Sequence, residues 1–224
     1  PVADNRQHLP PRALFALCNQ LREQGKIRYG GGKCELIRTG AFDDIDLCLA
    51  HHIQPGDEIL VSIMEHHSDM LPWQQAAKRT GAVVKYLECD RQGRITEEDL
   101  RNAITDKTKL VAVTQVSNVL GVRNDIWDFA KICHEKGIVI VADGAQSVPH
   151  MPVDVQELDV DFLAFSGHKM LGTMGIGVLY GKREYLEKMP PFLTGGEMIE
   201  SVSRDGAVFA QSPHKFEAGT VNAG

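Results

Sequence analysis

The sequence predicts an α/β fold built on a mostly parallel sheet, and three observations carry that expectation. Short apolar runs of strand length recur between stretches whose apolar residues follow helical spacing. Glycine and Asp-rich turns separate them at short intervals. Two of the runs also end on polar clusters. Ile138 to Ala142 leads into Asp143, and Phe162 to Phe165 leads into Ser166-Gly167-His168-Lys169. Strands alternating with helices of this length imply parallel neighbours joined by right-handed crossovers, with helices on both faces.

Taken in order, Pro10 and Pro11 open a helix in which Leu14, Leu17, Cys18 and Leu21 keep a three-four spacing up to Gly25. Gly30-Gly31-Gly32-Lys33 lacks the full glycine, lysine and hydroxyl spacing of a phosphate loop and reads as a flexible turn. Regular patterning begins at Gln54-Pro55-Gly56-Asp57. Ile59 to Ile63 is a buried strand that ends on Glu65-His66-His67-Ser68 and passes into a helix reaching about Arg79. Val83 to Leu87 is the next strand, followed by a turn at Asp90-Arg91-Gln92-Gly93. Thr96 with Asp99 three residues on resembles a capping box. Leu110 to Thr114 is a strand delivering Gln115 to Gly121, with Asn118 inside that turn. Asp125 to Lys136 is a helix stopped by Gly137. The Asp143 and Lys169 strands follow. Ile176 to Tyr180 is a strand suited to an antiparallel sheet edge, and Gly195-Gly196 marks a later turn.

Composition narrows the function classes. A chain of 224 residues buries one sizeable core. Its net charge of -6 gives no reason to expect a nucleic-acid partner. No apolar run approaches the roughly 20 residues that cross a bilayer. PVADNRQHLP lacks the layout of a signal peptide, and the absent initiator Met points to a processed or cut chain. The five cysteines, Cys18, Cys34, Cys48, Cys89 and Cys133, have no CxxC or zinc spacing, which suggests reduced thiols and a cytoplasmic setting. The His66-His67 pair has no third metal ligand at a usual spacing, so no metal is expected.

In open α/β sheets ligands sit at the carboxyl ends of strands. Asp143, Gln146, Ser166, His168 and Lys169 could therefore converge on one crevice. A lysine amine just past an apolar strand is partly desolvated, which favours its neutral, nucleophilic form. Such amines form Schiff bases with carbonyls. A pyridoxal cofactor needs that lysine and a carboxylate facing its pyridinium nitrogen. Taken alone, one Asp and one Lys after two strands read equally as unrelated loop residues. His66 reads as a helix cap or as a functional ring, and Asn118 as a turn former or a ligand contact.

The stretch SGHKMLGTMGIGVLYGK, Ser166 to Lys182, resembles the lysine loop of the class V aminotransferase family, in particular its cysteine desulfurase and selenocysteine lyase branch. EHHSDMLPWQ from Glu65, QVSNVLG from Gln115, DGAQSVPH from Asp143, TGGEMI from Thr194 and KFEAGTVN from Lys215 agree in order and spacing, so the resemblance runs from about Pro55 to Gly224. It implies the large domain of a fold-type I pyridoxal 5′-phosphate enzyme: a mostly parallel, seven-stranded-type sheet, truncated here and without the small domain. Residues 1–54 form an atypical amino-terminal segment and residues 55–224 the cofactor-binding domain.

The same resemblance assigns roles. Lys169 would carry the Schiff base and His66 would stack on the ring. Asp143 would face the ring nitrogen and Gln146 the phenolic oxygen. Ser166 and His168 would reach the phosphate, Asn118 would lie near the substrate, and Thr220 would reach the phosphate of a second copy, implying a homodimer. Two departures stand out. Gly40-Ala41-Phe42-Asp43 replaces a glycine and two hydroxyl residues of the family's phosphate site. Leu171-Gly172-Thr173-Met174 lacks the family's proline after the lysine. The family's reactive cysteine and carboxylate-binding arginine lie beyond the residues matched, and none of the five cysteines here takes the nucleophile's place. The implied activity is desulfuration of cysteine, leaving alanine and an enzyme persulfide for iron-sulfur cluster assembly through a sulfur-acceptor protein. Selenocysteine cleavage, another class V reaction such as transamination, and a non-catalytic relic of the fold are the alternatives.

Overall fold

The structure is a computed structural model and describes residues 53–219. The helix expected over Pro10 to Gly25, the Gly30 turn, Ala41-Phe42 and Thr220 lie outside the described residues.

Among the described residues there are eight strands and five α-helices, and up to Asp143 strands and helices alternate as expected. They are β1 (Glu58–Ser62), α1 (His67–Thr80), β2 (Val83–Leu87), α2 (Glu97–Ala103), β3 (Thr108–Thr114), α3 (Ile126–Glu135) and β4 (Val139–Asp143). After them come α4 (Val155–Leu158), β5 (Phe162–Ser166), a 3-10 turn (Gly167–Met170), β6 (Gly177–Gly181), α5 (Arg183–Lys188) and the pair β7 (Ile199–Val202) and β8 (Ala207–Phe209). Six strands form one sheet in the order β2-β1-β3-β4-β5-β6, and β7-β8 form a separate antiparallel ribbon. All neighbours in the six-stranded sheet are parallel except β6, which runs antiparallel to β5 at the edge. Where the resemblance implies a seven-stranded type of sheet, the described residues supply six of its strands.

The period of two along each strand sends alternate side chains to opposite faces, and each face is covered. Ile59, Val61, Leu110, Ala112, Val141 and Phe162 face one way and pack with Trp73, Ala76 and Ala77 of α1. Leu60, Val111, Val113, Ile140, Ala142 and Leu163 face the other way and meet Leu100 of α2 and Ile126, Phe129, Ile132 and Cys133 of α3. Near-continuous apolar strands are the consequence of burial on both faces.

The caps follow the local chemistry. Thr96 accepts from the Asp99 N–H while Asp99 accepts from the Thr96 N–H, the reciprocal box expected from the sequence. Helix α1 ends at Gly81, whose φ of 80° is left-handed and whose N–H caps the Ala77 carbonyl. A Cβ on Gly81 would also stand 3.2 Å from Pro55 Cβ. Gly81→Ala is expected to lose about 1–2 kcal/mol, read as a lower denaturant midpoint with an unchanged slope.

The strand order positions the site. From β1 the chain steps outward to β2, then returns to lay β3 on the other side of β1. The carboxyl ends of β1 and β3 are therefore where successive connections diverge, and a crevice opens there.

Candidate active site

Four parallel strands each deliver polar groups at this carboxyl rim. Strand β4 ends on Asp143, which is buried at 5 % exposure between Thr114 of β3 and Ala164 of β5. Its Oδ1 accepts the Ala145 N–H at 2.7 Å, so the turn after the strand fixes the carboxylate. Burial raises the Asp143 pKa, against the opposing pull of the Ala145 N–H and the Lys169 ammonium. Strands β4 and β5 are parallel neighbours, so Asp143 and the turn that carries Lys169, 26 positions apart in sequence, stand at the same rim.

Strand β5 ends on Ser166, and the 3-10 turn that follows carries His168 and Lys169, both half-buried. The turn folds back on β6: Gly167 N–H donates to the Ile176 carbonyl at 2.8 Å, and Gly172 N–H to the Gly167 carbonyl at 2.9 Å. The left-handed residues of this loop are Gly175 and Leu171, whose φ is 64°. Leu171 holds that conformation as the C-cap of the 3-10 turn, while Gly172 is needed because a Cβ there would stand 3.0 Å from the Gly167 carbonyl oxygen. The Ser166 hydroxyl is buried and has no hydrogen-bond partner. An orphaned buried donor is unfavourable unless something outside the protein completes it.

Strand β1 leads to His66, the N-cap of α1. Its Nδ1 accepts the Ser68 N–H at 3.1 Å and lies 2.9 Å from Ser68 Oγ. The capping role considered for this histidine is real. Engaging the ring through its edge also fixes the ring plane at the rim of the crevice. Gln146 follows Asp143 at half-buried depth. Asn118 sits exposed on the turn from Ser117 to Gly121, where the Ser117 hydroxyl accepts the Leu120 N–H at 3.2 Å. The buried asparagine of this region is Asn124, which donates to the Thr114 carbonyl at 2.7 Å and ties the turn to β3.

Three rim residues escaped the sequence reading. Gln115, just past β3, is buried with its side-chain oxygen unpartnered. Glu65 and Asp69 are buried at this rim, and burial raises the pKa of each. No local signal marks them, since their burial comes from tertiary packing.

Among the described residues, no group of three or more His, Cys, Asp or Glu side chains is placed to hold a metal ion. No helix among them is long and apolar enough to cross a membrane. Cys133 is buried against α3's neighbours, and burial together with Asp161 pushes its thiol up to about 12, which keeps it from acting as a thiolate nucleophile. An open cavity of about 570 Å³ lies elsewhere, lined by Arg183, Glu187, Met189, Phe209 and Lys215. It contains none of the rim residues and brings no nucleophile to a base, so the chemistry is placed at the rim.

Comparison with known proteins agrees with this fold. The sequence profile of the family described as Aminotransferase class-V matches residues 38–224, beginning upstream of Pro55. A probable cysteine desulfurase of Halalkalibacterium halodurans is 54% identical over 191 residues, which cover 83% of this chain and 47% of that protein. A cysteine desulfurase of Haloferax volcanii is 52% identical over 199 residues, covering 87% of this chain and 47% of that protein. The chain spans about half the length of these curated relatives. Among solved structures, the cysteine desulfurase CsdA of Escherichia coli superimposes with a TM-score of 0.80 at 38% identity, covering 99% of this chain and 57% of that one. A cysteine desulfurase of Thermococcus onnurineus NA1 gives 0.78 at 43% identity, covering 82% of this chain and 46% of that one. A fold with Asp143 and Lys169 at one rim, and a profile match across most of its length, place the protein: the chain belongs to the class V aminotransferase family of pyridoxal 5′-phosphate enzymes.

Proposed function

We propose that the protein acts in cysteine desulfuration, with its crevice holding pyridoxal 5′-phosphate. The observation that carries this is the buried Asp143 carboxylate at the end of β4, beside the end of the neighbouring strand β5 whose turn carries Lys169. The residues fit the group. An orphaned, buried Ser166 hydroxyl supplies a phosphate donor, and Asp143 supplies a fixed anion for a protonated ring nitrogen. When bound, the cofactor supplies an aldehyde for capturing amines and a ring that withdraws electrons from the substrate Cα.

The protein's own groups do the rest. Asp143 would hold a proton on the ring nitrogen, because a buried carboxylate with one oxygen fixed by Ala145 offers the other. Lys169 would supply the amine for the aldehyde and a site for a proton near the substrate Cα. His66, its ring held by Ser68, would contact the ring. Gln146 would serve the phenolic oxygen, His168 and Ser166 the phosphate, and Asn118 the substrate. Cysteine is the substrate favoured by the relatives' names, and a sulfur-acceptor protein is the expected recipient. A homodimer is the proposed assembly. The exposed apolar side chains Val119, Leu120, Leu171 and Met174 on the rim loops support burial against a second copy. The cytoplasm is the proposed compartment.

The test is a spectral titration. Adding pyridoxal 5′-phosphate to the protein is expected to produce the visible band of a lysine-captured aldehyde, and Lys169→Ala to abolish it. A band of equal strength in Lys169→Ala, or none in the wild type at saturating cofactor, would overturn the proposal.

A further inference from the structure

We propose that Ser68 is a positioning residue for His66: its backbone N–H and its hydroxyl commit the ring's Nδ1 to accepting, so that Nε2 carries the proton.

The geometry starts from the cap of α1. Helix amino termini are ordinarily capped by Ser, Thr, Asp or Asn, whose short side chains reach a backbone N–H two or three residues on. Here the cap is His66, in extended backbone conformation with φ −64° and ψ 147°. Nδ1 is bonded to Cγ, the place where an Asn side chain carries its oxygen, so the ring caps through that atom. The Ser68 N–H donates to it at 3.1 Å. The hydroxyl of Ser68, a buried residue, lies 2.9 Å from the same atom.

A backbone N–H only donates. The atom it meets must offer a lone pair, and a protonated Nδ1 has none to offer. A neutral imidazole holds one proton between its two nitrogens, so that proton is on Nε2. The hydroxyl is then a donor as well, because Nδ1 has no hydrogen to give it. Two donors from one residue converge on one acceptor, and together they fix the tautomer and the rotation of the ring. Turning the ring over would put a carbon where Nδ1 stands and take this partner from both donors.

The consequence reaches the crevice, where His66 is half-buried. A neutral imidazole takes a further proton at its unprotonated nitrogen, and in His66 that nitrogen is the one Ser68 engages. The ring therefore serves as a hydrogen-bond donor through Nε2, and proton acceptance at the site falls to the Lys169 amine. This assignment of roles rests on the cofactor reading above; the tautomer itself does not.

The experiment is nitrogen-15 NMR of the cofactor-free protein at about pH 8, where an ordinary imidazole is neutral. His66→Asn identifies the His66 signals among those of the nine histidines, and its amide oxygen keeps α1 capped. In the wild type, Nδ1 is expected at the shift of an unprotonated ring nitrogen and Nε2 at that of an N–H. A scalar coupling across the hydrogen bond should join the Ser68 amide nitrogen to Nδ1. Ser68→Ala keeps the backbone N–H and loses the hydroxyl. Its two ring-nitrogen shifts are expected to move toward each other as the second tautomer becomes populated. Its affinity for pyridoxal 5′-phosphate should weaken about two- to tenfold, the worth of one hydrogen bond. Ser68→Thr, which restores a hydroxyl, should recover both. A proton on Nδ1 in the wild type, or no coupling to Ser68, overturns the tautomer. Ring shifts unchanged in Ser68→Ala overturn the positioning role of its hydroxyl. Shifts that move while cofactor affinity does not overturn the link to the cofactor. Absence of the lysine-captured aldehyde band in the wild type removes the cofactor reading alone and leaves the NMR result to decide the tautomer.

Discussion

Asp143→Asn is expected to weaken pyridoxal 5′-phosphate binding about ten- to a hundredfold, the range set by losing one charge-assisted hydrogen bond. The amide oxygen keeps the Ala145 N–H contact that shapes the turn, so the local fold survives. What disappears is the buried anion at the end of β4. The same substitution is expected to stabilise the cofactor-free protein at alkaline pH. Burial raises the Asp143 pKa, so the folded state holds its charge at a cost that grows as pH rises through the folded pKa, and an amide carries no such cost. Looser cofactor and a firmer fold in one variant would be the signature of a group kept for function at the expense of stability. A spectral titration and a thermal scan at two pH values measure both.

Trp73→Ala is expected to cost about 3–5 kcal/mol, the largest stability loss of any single truncation considered. Trp73 is completely buried, and its ring packs α1 against the sheet face built from Ile59, Val61 and Leu110. Truncation leaves a cavity and also strips Asp69 of the indole donor. Trp73→Phe leaves a smaller cavity, keeping one aromatic ring in the core while losing the N–H and the rest of the indole. Its cost is expected to be about 1–3 kcal/mol, the penalty for an unsatisfied buried acceptor. Circular dichroism in a denaturant series should follow both variants. Indole emission is unsuitable, because Trp73 is one of only two tryptophans.

The sequence reveals most of the sheet because burial on both faces leaves an unmistakable mark: runs of Val, Ile, Leu, Ala and Phe in β1, β3, β4 and β5. The caps are equally readable, since Thr96 with Asp99, and Gly81 and Gly137, act through local chemistry alone. The ribbon β7-β8 escapes because its residues are exposed and carry no alternating pattern. Lys169 and Asp143 announce themselves by standing at the ends of apolar runs. Glu65 and Asp69 do not. An acid before a histidine pair and another in the first turn of a helix read as solvated residues near a helix amino terminus. Their burial depends on how α1 seats against β3, which is a property of tertiary packing rather than of spacing. Leu171 is hidden for a related reason: nothing in a leucine signals a left-handed backbone.

Because β1 lies between β2 and β3, every group discussed for chemistry emerges at one rim, and the opposite rim consists of turns such as the exposed Thr105-Asp106-Lys107 between α2 and β3. That rim offers an attachment point for dyes, surface tethers or affinity handles. A probe coupled at Asp106 would report on folding and assembly from a full strand length away, leaving the reacting end undisturbed.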